Sequence, residues 1–174
     1  MTRQQAIDQF VEIAVAEIGT REEGGNNCGA EIRAYQSATW LKPDPWAWCA
    51  AFVCWVMMKW LISKEVCELL SLKDQPAVEK FRCRDATAFG FEKWALKRNI
   101  KIYPETELAK KGDIVVFDFS HIGIVTEDQV IGIKTIKTVD GNTNGKGDRD
   151  SVSGDGVWAK ERKKDLVKSL IRIL

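Results

Sequence analysis

The chain has 174 residues, 45% apolar and 29% charged, with a net charge of +1. That is enough for one domain with a real core, too little for two ordinary ones, and too apolar for a disordered chain. The near-neutral balance argues against a dedicated nucleic-acid binder, which would carry a strongly basic patch or stripe.

Residues 3–18 place Ile7, Phe10, Val11, Ala14 and Ile18 at helical spacing, and Gly19 stops that helix. Residues 20–29 form a polar, glycine-rich loop, and a short helix is expected at about 30–38. Lys42-Pro43-Asp44-Pro45 is a turn, because its prolines exclude helix. A helix from about Cys49 to Ile62 is apolar nearly all round and should be central and buried. Lys59 interrupts this stretch, which is also too short to span a bilayer. Residues 63–84 carry no readable pattern, and 85–98 read as another helix with Ala88, Phe91, Trp94 and Ala95.

After Pro104 the period changes. Residues 114–117, 122–125 and 131–139 are short β-rich runs separated by turn residues. Helices first and strands afterwards indicate an α+β fold with a mainly antiparallel sheet. Residues 141–156 read as a long glycine-rich loop. The C-terminal 160–174 fits a last strand through Val167, Ile171 and Ile173. It also fits a basic amphipathic helix through Leu166, Leu170 and Leu174, which would allow transient contact with an anionic membrane. The strand is the favoured reading. Thr2-Arg3-Gln4-Gln5 leads into a mixed helix with no secretory-signal pattern, so cytoplasmic synthesis is expected.

Five cysteines, at 28, 49, 54, 67 and 83, form no Cys-x-x-Cys pair, and His121 is the single histidine. A structural zinc site is therefore not expected. Reduced thiols are expected instead, with Cys54, Cys67 and Cys83 as inert, buried cysteines. Cys49, opening the buried helix, meets the free N–H groups and positive end of a helix dipole, an environment that activates thiols. The same N–H groups can hold an oxyanion. A buried cysteine capping a core helix fits residues 48–52 equally well. His121 is the base available to such a nucleophile, although a lone histidine is more often structural. Its orienting partner would be Asp140, beside it in an antiparallel hairpin, with Asn142 pointing the same way if the strand continues. Asp140-Gly141-Asn142 taken alone is simply a turn.

Four segments occur in the order seen in the CHAP-type cysteine peptidoglycan hydrolases, many of them phage endolysins. They are Glu22–Asn27 with Tyr35-Gln36; Pro45-Trp46-Ala47-Trp48-Cys49-Ala50-Ala51-Phe52-Val53; Gly112–Phe117 with His121–Val125; and Val139–Asn144 followed by Gly154–Val157. The chain resembles that family over most of residues 10–160. The resemblance implies a papain-like core over a single domain, 1–174, with no separate wall-binding domain. It implies Cys49 as nucleophile, His121 as general base, Asp140 (where many relatives place Glu) orienting His121, and Asn142 assisting the imidazole or the oxyanion. Tyr35, Gln36 and Asn27 would line the cleft. Trp46, Trp48 and Trp158 are candidates for stacking on sugar or peptide, with Trp46 the one expected to be exposed and Trp48 equally suited to the core. Some relatives bind calcium through an Asp-rich loop before the cysteine. Only Asp44 stands there, so neither metal nor cofactor is expected, and Asp148, Asp150 and Asp155 read as turn residues.

The implied reaction is hydrolysis of a peptidoglycan amide, as an N-acetylmuramoyl-L-alanine amidase or an endopeptidase, by a monomer reaching the wall after holin-dependent release. A zinc amidase lacks its histidines. A two-carboxylate glycosidase leaves Cys49 and His121 unexplained. Two alternatives stay open: a non-catalytic wall-binding module, and a papain-like effector or deamidase acting on another amide.

Overall fold

A computed structural model describes residues 1–145 and 154–174. Among these, six helices are followed by a six-stranded antiparallel sheet, so the fold is α+β. The first helix, α1 (Arg3–Ala16), is opened by a capping box between Thr2 and Gln5. After α2 (Ala30–Gln36) comes α3 (Cys49–Trp60), nine of whose twelve residues are buried, as its all-round apolar pattern requires. It packs against α1, α2 and the third and fourth strands, and the Trp60 indole donates to the Ala6 carbonyl at 2.8 Å.

Residues 63–84, unreadable as sequence, hold two short helices. Ser63 caps α4 (Lys64–Leu69), and Asp74 caps α5 (Gln75–Phe81), which has a proline in its first turn. Helix α6 (Gly90–Lys97) starts five residues later than expected. The Asp85 carboxylate accepts from Thr87 N at 2.9 Å and from its hydroxyl at 2.7 Å, which holds the chain in a turn there.

The strands are β1 (Lys101–Pro104), β2 (Ile114–Phe117), β3 (Ile122–Val125), β4 (Thr135–Thr143), β5 (Gly156–Lys163) and β6 (Val167–Arg172), in the order β1-β6-β2-β3-β4-β5. Ile114, Val116, Ile122, Ile124, Val139 and Ile171 join the main core with the helices. Val115, Phe117, Val125, Ile136, Val167 and Leu170 form a smaller cluster on the other face, the alternation expected of strands.

Two sequence expectations are corrected, and the C-terminus is strand, as favoured. Strand β4 begins at Thr135, because Val130, Ile131 and Ile133 lie exposed in the β3–β4 connection. It runs to Thr143, so the first part of the expected 141–156 loop is strand. The C-terminus supplies two strands joined by a single 3-10 turn at Lys164–Leu166. Leu170 and Ile171 are fully buried there, on opposite faces, so the amphipathic helix proposed to touch membranes does not form. Among the described residues, no helix is long and apolar enough to cross a membrane.

Candidate active site

Cys49 is the first residue of α3, where its own N–H and those of Ala50 and Ala51 have no intrahelical acceptor. Its side chain is nearly buried, at 8% exposure. The turn between β2 and β3 delivers His121. Ser120 adopts φ +61°, and Phe117 N donates to the His121 carbonyl at 2.9 Å, closing the turn around it. The imidazole is fully buried and stacks on Phe119 at 5.6 Å and Phe117 at 5.9 Å between ring centres.

Register explains how Asp140 reaches it. Ile124 pairs with Val139, which sets Gly123 opposite Asp140. A Cβ at position 123 would sit 2.0 Å from Asp140 Oδ1, so only glycine lets the carboxylate lie across the neighbouring strand. His121 is two residues away on the same face, and its Nε2 lies 3.1 Å from Asp140 Oδ2. Nδ1, with no hydrogen bond among the described residues, is the nitrogen left for the Cys49 thiol.

Asp140 Oδ2 also accepts from Arg162 Nε at 2.9 Å and from its terminal nitrogen at 2.7 Å. Arg162 is itself fully buried in β5, donates to the Thr143 hydroxyl at 3.2 Å, and lies over the Phe117 and Phe119 rings. Burial opposes a charged imidazole. The Asp140 hydrogen bond and the Cys49 thiol outweigh it and push His121 up to about 9. Burial likewise opposes a charged Asp140, yet His121 and Arg162 hold its carboxyl below the usual range. The result is an imidazolium facing a cysteine at a helix N-terminus, backed by a carboxylate and a guanidinium.

The chain matches no known protein family, curated protein or solved structure.

Asn142 does not join His121. Its φ of +55° and the register shift between Asp140 and Thr143 turn it away. Its Oδ1 accepts from Trp48 N at 3.1 Å and its Nδ2 donates to Asn27 Oδ1 at 3.1 Å. Glu22 completes this group, accepting from the Trp48 indole and from Asn27 N, each at 2.8 Å. Asn142, Asn27 and Glu22 thus fix the residue that precedes Cys49.

Tyr35, expected to line the cleft, is instead 1% exposed. Its ring packs on Trp48, Phe52 and Trp55, and its hydroxyl donates to Glu17. Burial, reinforced by Glu17, raises its pKa. Gln36 is fully buried and donates to the carbonyls of Asp44 (2.7 Å) and Trp46 (3.1 Å), so it shapes the loop leading to Cys49 and does not line a cleft. Trp46 is half-buried where exposure was expected, with its indole on the Lys42 carbonyl at 3.1 Å. Trp48 is fully buried and so closed to stacking, while the half-buried Trp158 has the Arg21 guanidinium over one face of its ring at 3.6 Å. Asp155 pairs with Arg21 at 2.8 Å, while Asp148 and Asp150 lie outside the described residues. No three His, Cys, Asp or Glu side chains cluster as metal ligands among the described residues.

Sequence reasoning missed Arg162 entirely, and gave Gly123 no role. Arg162 sits in a run of basic residues that reads as a solvated face, and nothing local marks it as buried.

Proposed function

We propose that this chain is a cysteine hydrolase with a papain-like core that cleaves an amide bond of bacterial peptidoglycan, in the manner of the CHAP enzymes its motifs resemble. The observation that carries the reading is the buried His121–Asp140 pair facing a cysteine at a helix N-terminus. The papain-like assignment is supported by a cysteine-bearing helix packed against an antiparallel sheet that supplies the imidazole. The choice of peptidoglycan rests on the four motif segments.

Cys49 Sγ attacks the amide carbonyl carbon, and the proton of the Cys49–His121 pair resides on Nδ1. The oxyanion is received by the unpaired N–H groups at the start of α3. Collapse breaks the C–N bond, and the amine leaves with the His121 proton, giving a thioester. Water then gives a proton to His121 as it attacks the thioester, and breaking of the C–S bond releases the carboxylic acid and restores the Cys49–His121 pair with its proton on Nδ1. Asp140 keeps the imidazole oriented through both steps and stays ionised.

Mass spectrometry of purified peptidoglycan, digested by wild type and by Cys49→Ala, tests the reading. Soluble fragments from wild type alone are expected, and their masses name the bond. His121→Ala is expected to abolish turnover. A folded protein that pellets with the wall but releases nothing would favour a non-catalytic wall-binding module. No release and no pelleting would direct attention to another amide substrate.

A further inference from the structure

A groove of about 410 Å³ runs between α5, α6 and the 82–85 segment, with the Trp40 side chain on its wall. Six cationic side chains and two carboxylates line it, an excess of four positive charges in a chain whose total is +1. The two carboxylates are largely committed. Glu79 pairs with the buried Arg82 at 2.9 Å, and Asp85 accepts from Thr87. Lys80, Lys93 and Lys97 are exposed and make no ion pair among the described residues. Arg84 reaches Glu79 only at 3.8 Å, and the buried Nε atoms of Arg84 and Arg98 have no hydrogen-bond partner among the described residues. Like charges gathered this way repel one another and are stabilised by an anion that several of them share.

Trp40 gives the second observation. It is 66% exposed, yet its backbone is pinned, with N donating to the Arg84 carbonyl at 3.2 Å. Arg82 donates to the carbonyl of Ala38 at 2.8 Å, two residues before it. A large ring held open to solvent beside uncompensated cations is a stacking platform next to an anion site. A single such ring suits one sugar face, whereas single-stranded nucleic acid calls for successive aromatic platforms.

We infer that this groove binds a phosphate-bearing carbohydrate chain, with Trp40 against a sugar face and Arg84, Lys93 and Lys97 around the phosphate. A phosphomonoester carried on the chain, doubly charged with three free oxygens, answers several cations better than a single carboxylate does. The inference is independent of the Cys49 chemistry and survives if that chemistry fails.

Isothermal titration of the full chain with a phosphomannan bearing phosphomonoesters, with the same mannan after phosphatase treatment, and with a single-stranded oligonucleotide tests it. Binding to the phosphomannan is expected to weaken with salt. It should fall by about tenfold or more after removal of phosphate, in Trp40→Ala, and in Lys93→Glu/Lys97→Glu. All three side chains are exposed, so the variants should unfold at the wild-type temperature. Absence of binding, equal binding of the two mannans, or undiminished binding by the charge-reversed variant would overturn the proposal. Tighter binding of the oligonucleotide would also overturn it and assign the groove to nucleic acid.

Discussion

Replacing Asp140 by asparagine removes the negative charge that holds a proton on His121. In the wild type the imidazole is raised from 6.5 to about 9 against its own burial. At about 1.4 kcal/mol per pH unit, that is on the order of 3 kcal/mol of net preference for the charged ring. A hydrogen bond to a charged group contributes roughly 1.5–3 kcal/mol, so loss of the carboxylate should lower the His121 pKa by about one to two units. The single histidine makes the assay direct, because one imidazole C2–H resonance followed by NMR across pH reports this group alone. The variant takes one charged partner from the buried Arg162, which costs up to about 3–5 kcal/mol and can impair folding. Asp140→Asn/Arg162→Met removes both charges together and keeps the experiment readable. A resonance still titrating near 9 in the folded variants would refute the reasoning, since the Asp140 contact would then contribute nothing to His121. Some turnover should survive in Asp140→Asn, with its pH profile displaced along with the histidine.

Five further outcomes follow from the geometry. Because His121 is raised in the folded state, its stabilising contribution is complete below about pH 6.5 and is lost as pH rises through about 9. Urea midpoints should therefore fall over that window in wild type and stay flatter in His121→Ala. Asp140 is lowered from 3.8, so its contribution is present above that value and lost as pH falls further, which acid titration of the midpoint should register. Limiting iodoacetamide followed by peptide mapping should label Cys49 first, since burial raises the Cys54 and Cys67 thiols; preferential labelling of Cys28 or Cys67 would contradict the site. Gly123→Ala, whose methyl would meet Asp140 Oδ1, should cost about 1–3 kcal/mol by urea denaturation and displace the His121 titration; unchanged values would reject the packing argument. Asn142→Ala should slow turnover while leaving the His121 titration in place, because the amide holds Trp48 and does not touch the imidazole; a displaced titration would reassign Asn142 to the His121 side.

Arg162 alters how the Cys49, His121 and Asp140 set behaves. A buried carboxylate shared between an imidazole and a guanidinium is held in its charged form, because protonating it would weaken its contacts with both buried cations. The stacked Phe117, Phe119 and His121 rings, with the guanidinium over both phenylalanines, restrain the imidazole from the side as Asp140 restrains it at Nε2.

Local pattern determined the elements whose burial is written into neighbouring residues. The all-round apolar run of α3, the spacing of α1 and the β-rich runs of β2 and β3 are visible because each repeats every few positions. The placement of Cys49 at a helix start and His121 at a strand mouth was legible for the same reason. The short helices α4 and α5 were obscured because six or seven residues hold too few turns to show a period, leaving only the Ser63 and Asp74 caps as signals. Edge strand β1 has a half-exposed pattern and gains its definition from pairing with β6. Asp140 beside His121 was legible from the hairpin, but only the tertiary structure could decide the roles of Gly123, Asn142 and Arg162. They depend on which strand lies beside which, and on a bulge that turns one side chain toward α3 and leaves another on His121. Register moves side chains between faces one residue at a time, and no residue's own neighbours in the chain encode the identity of the residue across the sheet.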